Sequence, residues 1–184
     1  MTEIFGIPIQ AFAGQLLIGL INGSFYAMLS LGLAVIFGLL NIINFTHGAQ
    51  YMMGAFAAWM LLDRLGIGYW WSLLLAPIAI GALGIVIERT MLSRLYQLDH
   101  LYGLLLTFGL ALVIQGLFTN EFGSSGQPYR LPPEFSGAFN LGFMFLPKYR
   151  AWVVVASLIV CLSTWYVIER TKLGAYLRAG TENS

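Results

Sequence analysis

The chain has 184 residues, of which 59% are apolar and only 9% charged, and its formal net charge is +1. Soluble domains carry roughly 25% charged residues, so this composition excludes an ordinary soluble domain and points to an integral membrane protein. A charge so near zero offers no basic face for nucleic acid. The single Cys161 excludes an intramolecular disulfide and a cysteine-rich metal site, and reads as a small apolar packing residue.

Charges fall only between apolar runs. Residues 4–62, 65–87, 101–120 and 151–168 contain no Asp, Glu, Lys or Arg. A helix needs about 20 apolar residues to cross the hydrocarbon, so the first run holds two crossings and the others one each. The runs are continuous rather than alternating, which disfavours a β-barrel. The expectation is an all-α integral membrane protein with about five transmembrane helices, near 14–39, 46–62, 70–88, 102–119 and 150–168. No Lys or Arg precedes Arg64. The basic segment of a cleaved signal peptide is thus missing, and the first apolar segment is expected to be retained.

The first predicted helix carries Gly19 and Gly23 at small-xxx-small spacing, which allows close helix contact. Asn22 and Ser24 are expected to face other helices. A polar break then separates helices 1 and 2. Asn41, Asn44, Thr46, His47, Gly48 and Gln50 crowd one short stretch inside the longest charge-free run. Unpaired polar groups in hydrocarbon cost several kcal/mol each. This stretch therefore sits at a membrane surface, joins two helices, or lines something inside the membrane. Asn22, Asn41, Asn44, His47 and Gln50 are the candidate pathway or helix-junction residues.

Asp63, Arg64, Gly66 and Gly68 make a short polar turn, and Tyr69, Trp70 and Trp71 follow as an interfacial aromatic belt would. Pro77 is expected to kink the third helix. The third and fifth helices end on the same five letters, Val86-Ile87-Glu88-Arg89-Thr90 and Val167-Ile168-Glu169-Arg170-Thr171. With one helix between them, both ends fall on the same side. Lys and Arg divide five to four between the two sides, but the N-terminal segment on the opposite side has none. The repeated ends are accordingly placed in the cytoplasm. Residues 120–149 form a long outer loop. Its turn signals and its apolar Phe135, Phe139, Phe143, Met144 and Phe145 fit either a loop folded onto the membrane surface or a docking surface for an external partner. In the tail, residues 171–180 read as a short amphipathic helix, with Leu173, Tyr176 and Leu177 at i, i+3, i+4 spacing. Such a helix can lie on lipid or press into a cytoplasmic partner.

The chain has no P-loop, no GxSxG, no HExxH and no acidic cluster for a metal. No catalytic or metal site is expected, and no bound cofactor. His47 and His100 lack companions at ligand spacing. His47 reads as a hydrogen-bonded structural histidine, with a metal or proton role as the alternative. The predicted spans carry no interior carboxylate, which counts against a self-contained proton- or sodium-driven carrier.

These residues carry a family likeness. Ile43-Asn44-Phe45-Thr46-His47-Gly48, followed by Tyr51-Met52-Met53-Gly54, resembles the I-N-F-A-H-G-x-x-Y-M-x-G signature of LivH-type permeases. These are membrane subunits of bacterial ABC importers for branched-chain amino acids. Residues 22–28 and 32–38 resemble that family's first helix and residues 104–110 its fourth. Residues 171–179 are similar to its T-x-x-G-x-x-x-R-A cytoplasmic segment. The family usually has an acid after His-Gly, where this chain has Ala49.

The resemblance implies a multi-pass protein of the bacterial inner membrane, with no enzymatic activity of its own. Its implied partners are a LivM-like second permease, two cytoplasmic ATPase subunits that bind ATP-Mg, a periplasmic substrate-binding protein and membrane lipid. Thr171, Leu173, Gly174, Tyr176, Leu177, Arg178 and Ala179 would then couple to the ATPase, within a cytoplasmic segment 169–184. Family members continue through further helices, so residues 1–184 are expected to be the N-terminal portion of a permease domain. A permease for urea or short amides, and a non-transporting truncated scaffold, are the alternatives.

Overall fold

The computed structural model describes residues 3–4, 6–40 and 44–182. Two short strands, β1 (Glu3–Ile4) and β2 (Ile7–Pro8), pair antiparallel ahead of the first helix. Five long helices follow: α1 (Ile9–Val35), α2 (Thr46–Leu65), α3 (Tyr69–Thr90), α4 (His100–Phe122) and α5 (Lys148–Arg170). A short sixth, α6 (Lys172–Glu182), closes the described chain. The expected all-α membrane architecture is thus present. α1, with the π-helical turn Ile36–Leu40 that extends it, and α3, α4 and α5 are long and apolar enough to cross a membrane. α2 has the length, about 30 Å at 1.5 Å per residue, but lies outside that apolar set.

The chain divides into two units, Gly32–Arg130 and the pair Met1–Leu31 with Leu131–Ser184. In the first, three aromatic contacts give the direction of the helices. Phe45 lies 5.9 Å from Phe108, Phe56 4.9 Å from Phe118 and Trp59 5.7 Å from Phe122, between ring centroids. From 45 to 59 and from 108 to 122 is the same advance, about 21 Å of helix. α2 and α4 therefore run parallel and in step, and α2 packs against both α4 and the returning α3. Gly66 ends α2 in the left-handed conformation (φ 66°). Its N–H donates to the Leu62 carbonyl and that of Ile67 to the Leu61 carbonyl. This is the reciprocal pair that a glycine at the first post-helical position makes possible. Asp99 caps α4 by accepting from the Leu101 N–H at 3.0 Å. Helix α3 runs unbroken through Pro77.

In the second unit, α5 carries a hairpin on its N-terminal end and α6 on its C-terminal end. Strands β3 (Ala138–Asn140) and β4 (Phe145–Pro147) pair antiparallel, Phe139 opposite Leu146. On α1, Ile21 and Ser24 are buried, while Gly19, Asn22 and Gly23 are open. The close contact that the Gly19/Gly23 spacing allows is not made among the described residues, and Asn22 does not share the packed face of Ser24. Residues 22 and 24 lie about 200° apart around a 3.6-residue helix, so one face cannot hold both.

The buried side chains of the five long helices include a small hydroxyl on each: Ser24, Thr46, Ser72, Thr107 and Ser157. Ser24, Thr107 and Ser157 donate to the carbonyls of Ile21, Leu104 and Val154, three residues back on their own helices. A hydroxyl satisfied by its own backbone can sit in an apolar interface without an unpaired group, and its size lets helices approach closely.

Candidate functional site

The polar stretch between α1 and α2 resolves into a helix start. The side-chain oxygen of Asn44 accepts from the Thr46 N–H at 2.9 Å and from the Thr46 hydroxyl. Its backbone carbonyl accepts from the His47 N–H. Phe45 already has helical dihedrals (φ −72°, ψ −15°). Asn44 is thus the residue that caps α2, with Phe45, Thr46 and His47 as the first three helical positions. Such a cap is worth about 1 kcal/mol. Thr46 is completely buried, so the Asn44 oxygen is committed to two local donors.

His47 is half-buried and lies against α1. A Cβ placed on Gly32 would stand 2.5 Å from His47 Cε1 and 2.9 Å from Nε2. Carbon atoms pack at about 3.5–4.0 Å, so only a glycine at position 32 leaves room for the imidazole where it stands. One turn further on, the Gln50 amide nitrogen lies 3.6 Å from the point where a Cβ would sit on Gly84 of α3. Phe45 meets Phe108 edge-on, beside the completely buried Thr107 of α4. Asn44, His47 and Gln50 are therefore brought together where α2 begins, held by α1, α3 and α4.

Gly84 precedes Glu88, the first charged residue of α3, by four positions, or about 6 Å along the axis. The junction thus lies within roughly one turn of the end of its unit that carries Glu88 and Arg89. Asn22 belongs to the other unit and is exposed. Asn41 lies outside the described residues. Three participants were not among the sequence-derived candidates: Gly32, Gly84 and Thr107. Nothing in local sequence marks a glycine as the seat of a side chain fifteen positions away (47 − 32). Thr107 is the one aliphatic hydroxyl in the apolar stretch 101–114 of α4 and was the more readable signal.

The second group lies at the corner between α5 and α6. Thr171 is extended (φ −110°, ψ 160°) and ends α5. Its hydroxyl donates to the Val167 carbonyl at 2.5 Å and accepts from the Gly174 N–H at 3.5 Å. Its own carbonyl takes the Ala175 N–H. One residue thus closes α5 and caps α6. Gly174 is buried, and a Cβ there would collide with the Ile168 carbonyl and Cα. Within the chain, then, the close approach that Gly174 permits is to the end of α5. Leu173 and Tyr176, the latter 75% exposed, point away from this packing. Ala179 is also exposed. The side chains of Leu177 and Arg178 lie outside the described residues.

The repeated pentapeptide has a matching local structure at the first corner, where the Thr90 hydroxyl donates to the Val86 carbonyl at 2.7 Å. The Tyr96 phenol hydrogen-bonds the Glu88 carboxylate. Burial and that carboxylate raise the phenol well above its ordinary value. No group of three or more His, Cys, Asp or Glu side chains that could hold a metal occurs among the described residues.

Comparison with known proteins bears on what such a bundle is. Residues 15–184 match the family of the branched-chain amino acid transport system permease component. The chain belongs to this family. It is 26% identical over 185 residues to the high-affinity branched-chain amino acid transport system permease protein LivH of Escherichia coli K12, covering 94% of this chain and 59% of that one. To the corresponding permease BraD of Pseudomonas aeruginosa it is 27% identical over 186 residues, covering 95% and 61%. To LivH of Salmonella typhimurium it is 27% identical, covering 94% and 59%. The chain thus spans about three fifths of the length of these curated relatives. No solved structure matches it. Family and helices together make this a multi-pass membrane protein.

Proposed function

We propose that this chain forms part of the translocation pathway of an ATP-driven importer in the bacterial inner membrane, with branched-chain amino acids as its cargo. The observation that carries the reading is the match of residues 15–184 to a transport permease family, supported by relatives whose names specify high-affinity branched-chain amino acid transport. The chain performs no covalent chemistry in this reading. Two cytoplasmic ATPases hydrolyse ATP-Mg, a LivM-like chain completes the pathway, and a periplasmic binding protein delivers the substrate.

The local geometry suits two roles. At the α1–α2 junction, Asn44 fixes the start of α2 and His47 rests on Gly32, so movement of α1 against α2 moves an imidazole and an amide together. His47 and Gln50 supply hydrogen-bonding groups for a zwitterion passing that end of the unit. At the other site, α6 presents Leu173 and Tyr176 outward from a capped corner, as a helix docking into a groove on the ATPase must. Thr171 and Gly174 act by holding α6 at its angle. Leu177, Arg178 and Ala179 continue the docking helix.

Uptake by the assembled importer in proteoliposomes tests this. Radiolabelled leucine should accumulate only with ATP and a hydrolysis-competent ATPase. His47→Ala should slow uptake while the complex still assembles, and Arg178→Glu should weaken ATPase association. Uptake of urea but not leucine would transfer the reading to short amides. No ATP-dependent uptake of either from an assembled complex would refute a pathway role and leave a membrane scaffold.

A further inference from the structure

The β3–β4 hairpin has more apolar exposure than a connecting loop needs. Gly142 (φ 82°) and Phe143 form its two-residue turn, closed by the Leu141 N–H donating to the Met144 carbonyl at 3.1 Å. Glycine first in a two-residue turn suits the twist of a hairpin. The Asn140 side chain accepts from the Gly142 N–H and fixes the turn further. Strand pairing places Phe139, Leu141, Met144 and Leu146 on one face. Met144 turns inward, its sulfur 3.9 Å from the point where a Cβ would sit on Gly14 of α1. Phe145 is on the opposite face and is 69% exposed, and Leu141 and Phe143 are exposed at the turn. No charged residue lies between Glu134 and Lys148.

This ribbon is fixed at one level. Phe135 stacks on Trp152 with centroids 5.6 Å apart and meets Tyr149 edge-on at 6.3 Å. The Lys148 N–H donates to the Gly137 carbonyl, and the Lys148 ammonium lies 5.9 Å from the Phe139 ring centre. All of these tether the hairpin to the first turn and a half of α5, a helix long and apolar enough to span a membrane. Lys, Tyr and Trp at the end of a span mark the headgroup layer. The exposed apolar residues are therefore tied to the level where the span begins, and α5 itself exposes Val155 and Leu158 further along.

We propose that the β3–β4 hairpin is a membrane-interface anchor, with Phe143 and Phe145 resting in the boundary between lipid headgroups and acyl chains. The uncharged ribbon and its tether to the start of the span favour lipid over a protein partner. A two-stranded ribbon has unpaired backbone groups on its outer edges, and hydrocarbon would leave them unsatisfied. The hairpin consequently inserts side chains only, with its backbone in the hydrated layer. This inference depends on the multi-pass membrane placement of α5 and not on transport.

Site-directed spin labelling of the full chain in phosphatidylcholine–phosphatidylglycerol vesicles tests it. C161A removes the native thiol, and nitroxides are placed singly at F143C and F145C. E134C serves as the hydrated control and L158C as the mid-span control. Labels at 143 and 145 should give an oxygen-to-nickel-chelate accessibility ratio several-fold above that at 134 and below that at 158. Ratios equal to that at 134 would overturn the proposal, since the hairpin would then stand in water. Labels shielded from both oxygen and nickel chelate would also overturn it, since protein would then cover the face. F143C lies in the turn and F145C in the strand, so failure of one variant to reconstitute leaves the other to decide.

Discussion

The Gly32–His47 contact makes a double-mutant prediction whose sign changes with background. In Gly32→Ala, the new Cβ would stand 2.5 Å from His47 Cε1 and 2.9 Å from Nε2. The ring must retreat by about 1 Å to reach ordinary carbon contact. Overpacking of this kind costs about 1–3 kcal/mol, whereas alanine in place of glycine inside a helix gains up to about 1 kcal/mol. The single substitution should therefore destabilise by roughly 0–3 kcal/mol. With His47→Ala already made, the clash is gone and only the helix gain remains. Gly32→Ala should then stabilise by up to about 1 kcal/mol, giving a coupling of about 1–3 kcal/mol between the two sites. Reversible unfolding in mixed detergent micelles, followed by far-ultraviolet circular dichroism, measures all four corners of the cycle. Effects that add within about 0.5 kcal/mol would mean the imidazole does not rest on Gly32, and the junction as described would be wrong.

Asn44→Ala should cost about 1 kcal/mol and speed amide exchange at Thr46 and His47, while Asn44→Asp retains the cap; unchanged exchange in the alanine variant refutes the capping role. Thr171→Ala should speed exchange at Gly174 and loosen α6 by about 1 kcal/mol, with Thr171→Ser close to wild type. Gly174→Ser should disrupt the corner more than either, read as loss of protection at Ala175, whose N–H bonds the Thr171 carbonyl at 3.2 Å. Tyr96→Phe should destabilise by about 1 kcal/mol, a hydrogen bond to a carboxylate being lost. The Tyr96 value is raised in the folded state, so the contribution of the neutral phenol is complete below the unfolded tyrosine value, about 10. It is lost only as pH climbs through the higher folded value. The stability difference between wild type and Tyr96→Phe should stay flat from about pH 7 to 9, and a fall within that window would refute the bond.

The helices were legible because hydrocarbon imposes a simple rule. Charges had to fall between spans, and Asp63, Arg64, Glu88, Arg89, Asp99, Glu121, Lys148 and Arg170 lie at or beside helix ends. Boundaries were less legible. α1 begins at Ile9 rather than near 14, because Gln10 and Gln15 interrupt hydropathy without interrupting the helix. Pro77 does not end its helix, which continues through it to Thr90. The outer loop 120–149, read as a long loop with turn signals, contains a hairpin, whose signal was Gly142 between apolar residues. At the junction, the polar letters gave the location but not the arrangement. Asn44 capping Thr46 is a local pattern and was open to reading. His47 on Gly32 and Gln50 beside Gly84 are tertiary contacts, which no spacing rule contains.

The two helix ends that share five letters show how little separates a closed corner from a projecting helix. Both threonines bond the valine carbonyl four residues back, Thr90 to Val86 and Thr171 to Val167. The likeness runs further, since Leu92 and Leu173 both stand two places after the threonine. Their fates differ, for Leu92 is buried and Leu173 exposed. The next position accounts for the divergence. Ser93 bonds the Arg89 carbonyl at 3.0 Å and continues the helical winding into the turn Leu92–Leu95. Gly174 instead meets the backbone of Ile168, where the Cβ of a serine would collide. A side chain at that position is compatible with the first corner and incompatible with the second. One missing Cβ thus lets the chain break at Thr171 and fold α6 against the end of α5. The break turns the leucine that the first corner buries into one that the second presents. Leu173 and Tyr176 are left exposed by that break, and full burial of Leu173 against a docked partner would contribute about 1.5–3 kcal/mol.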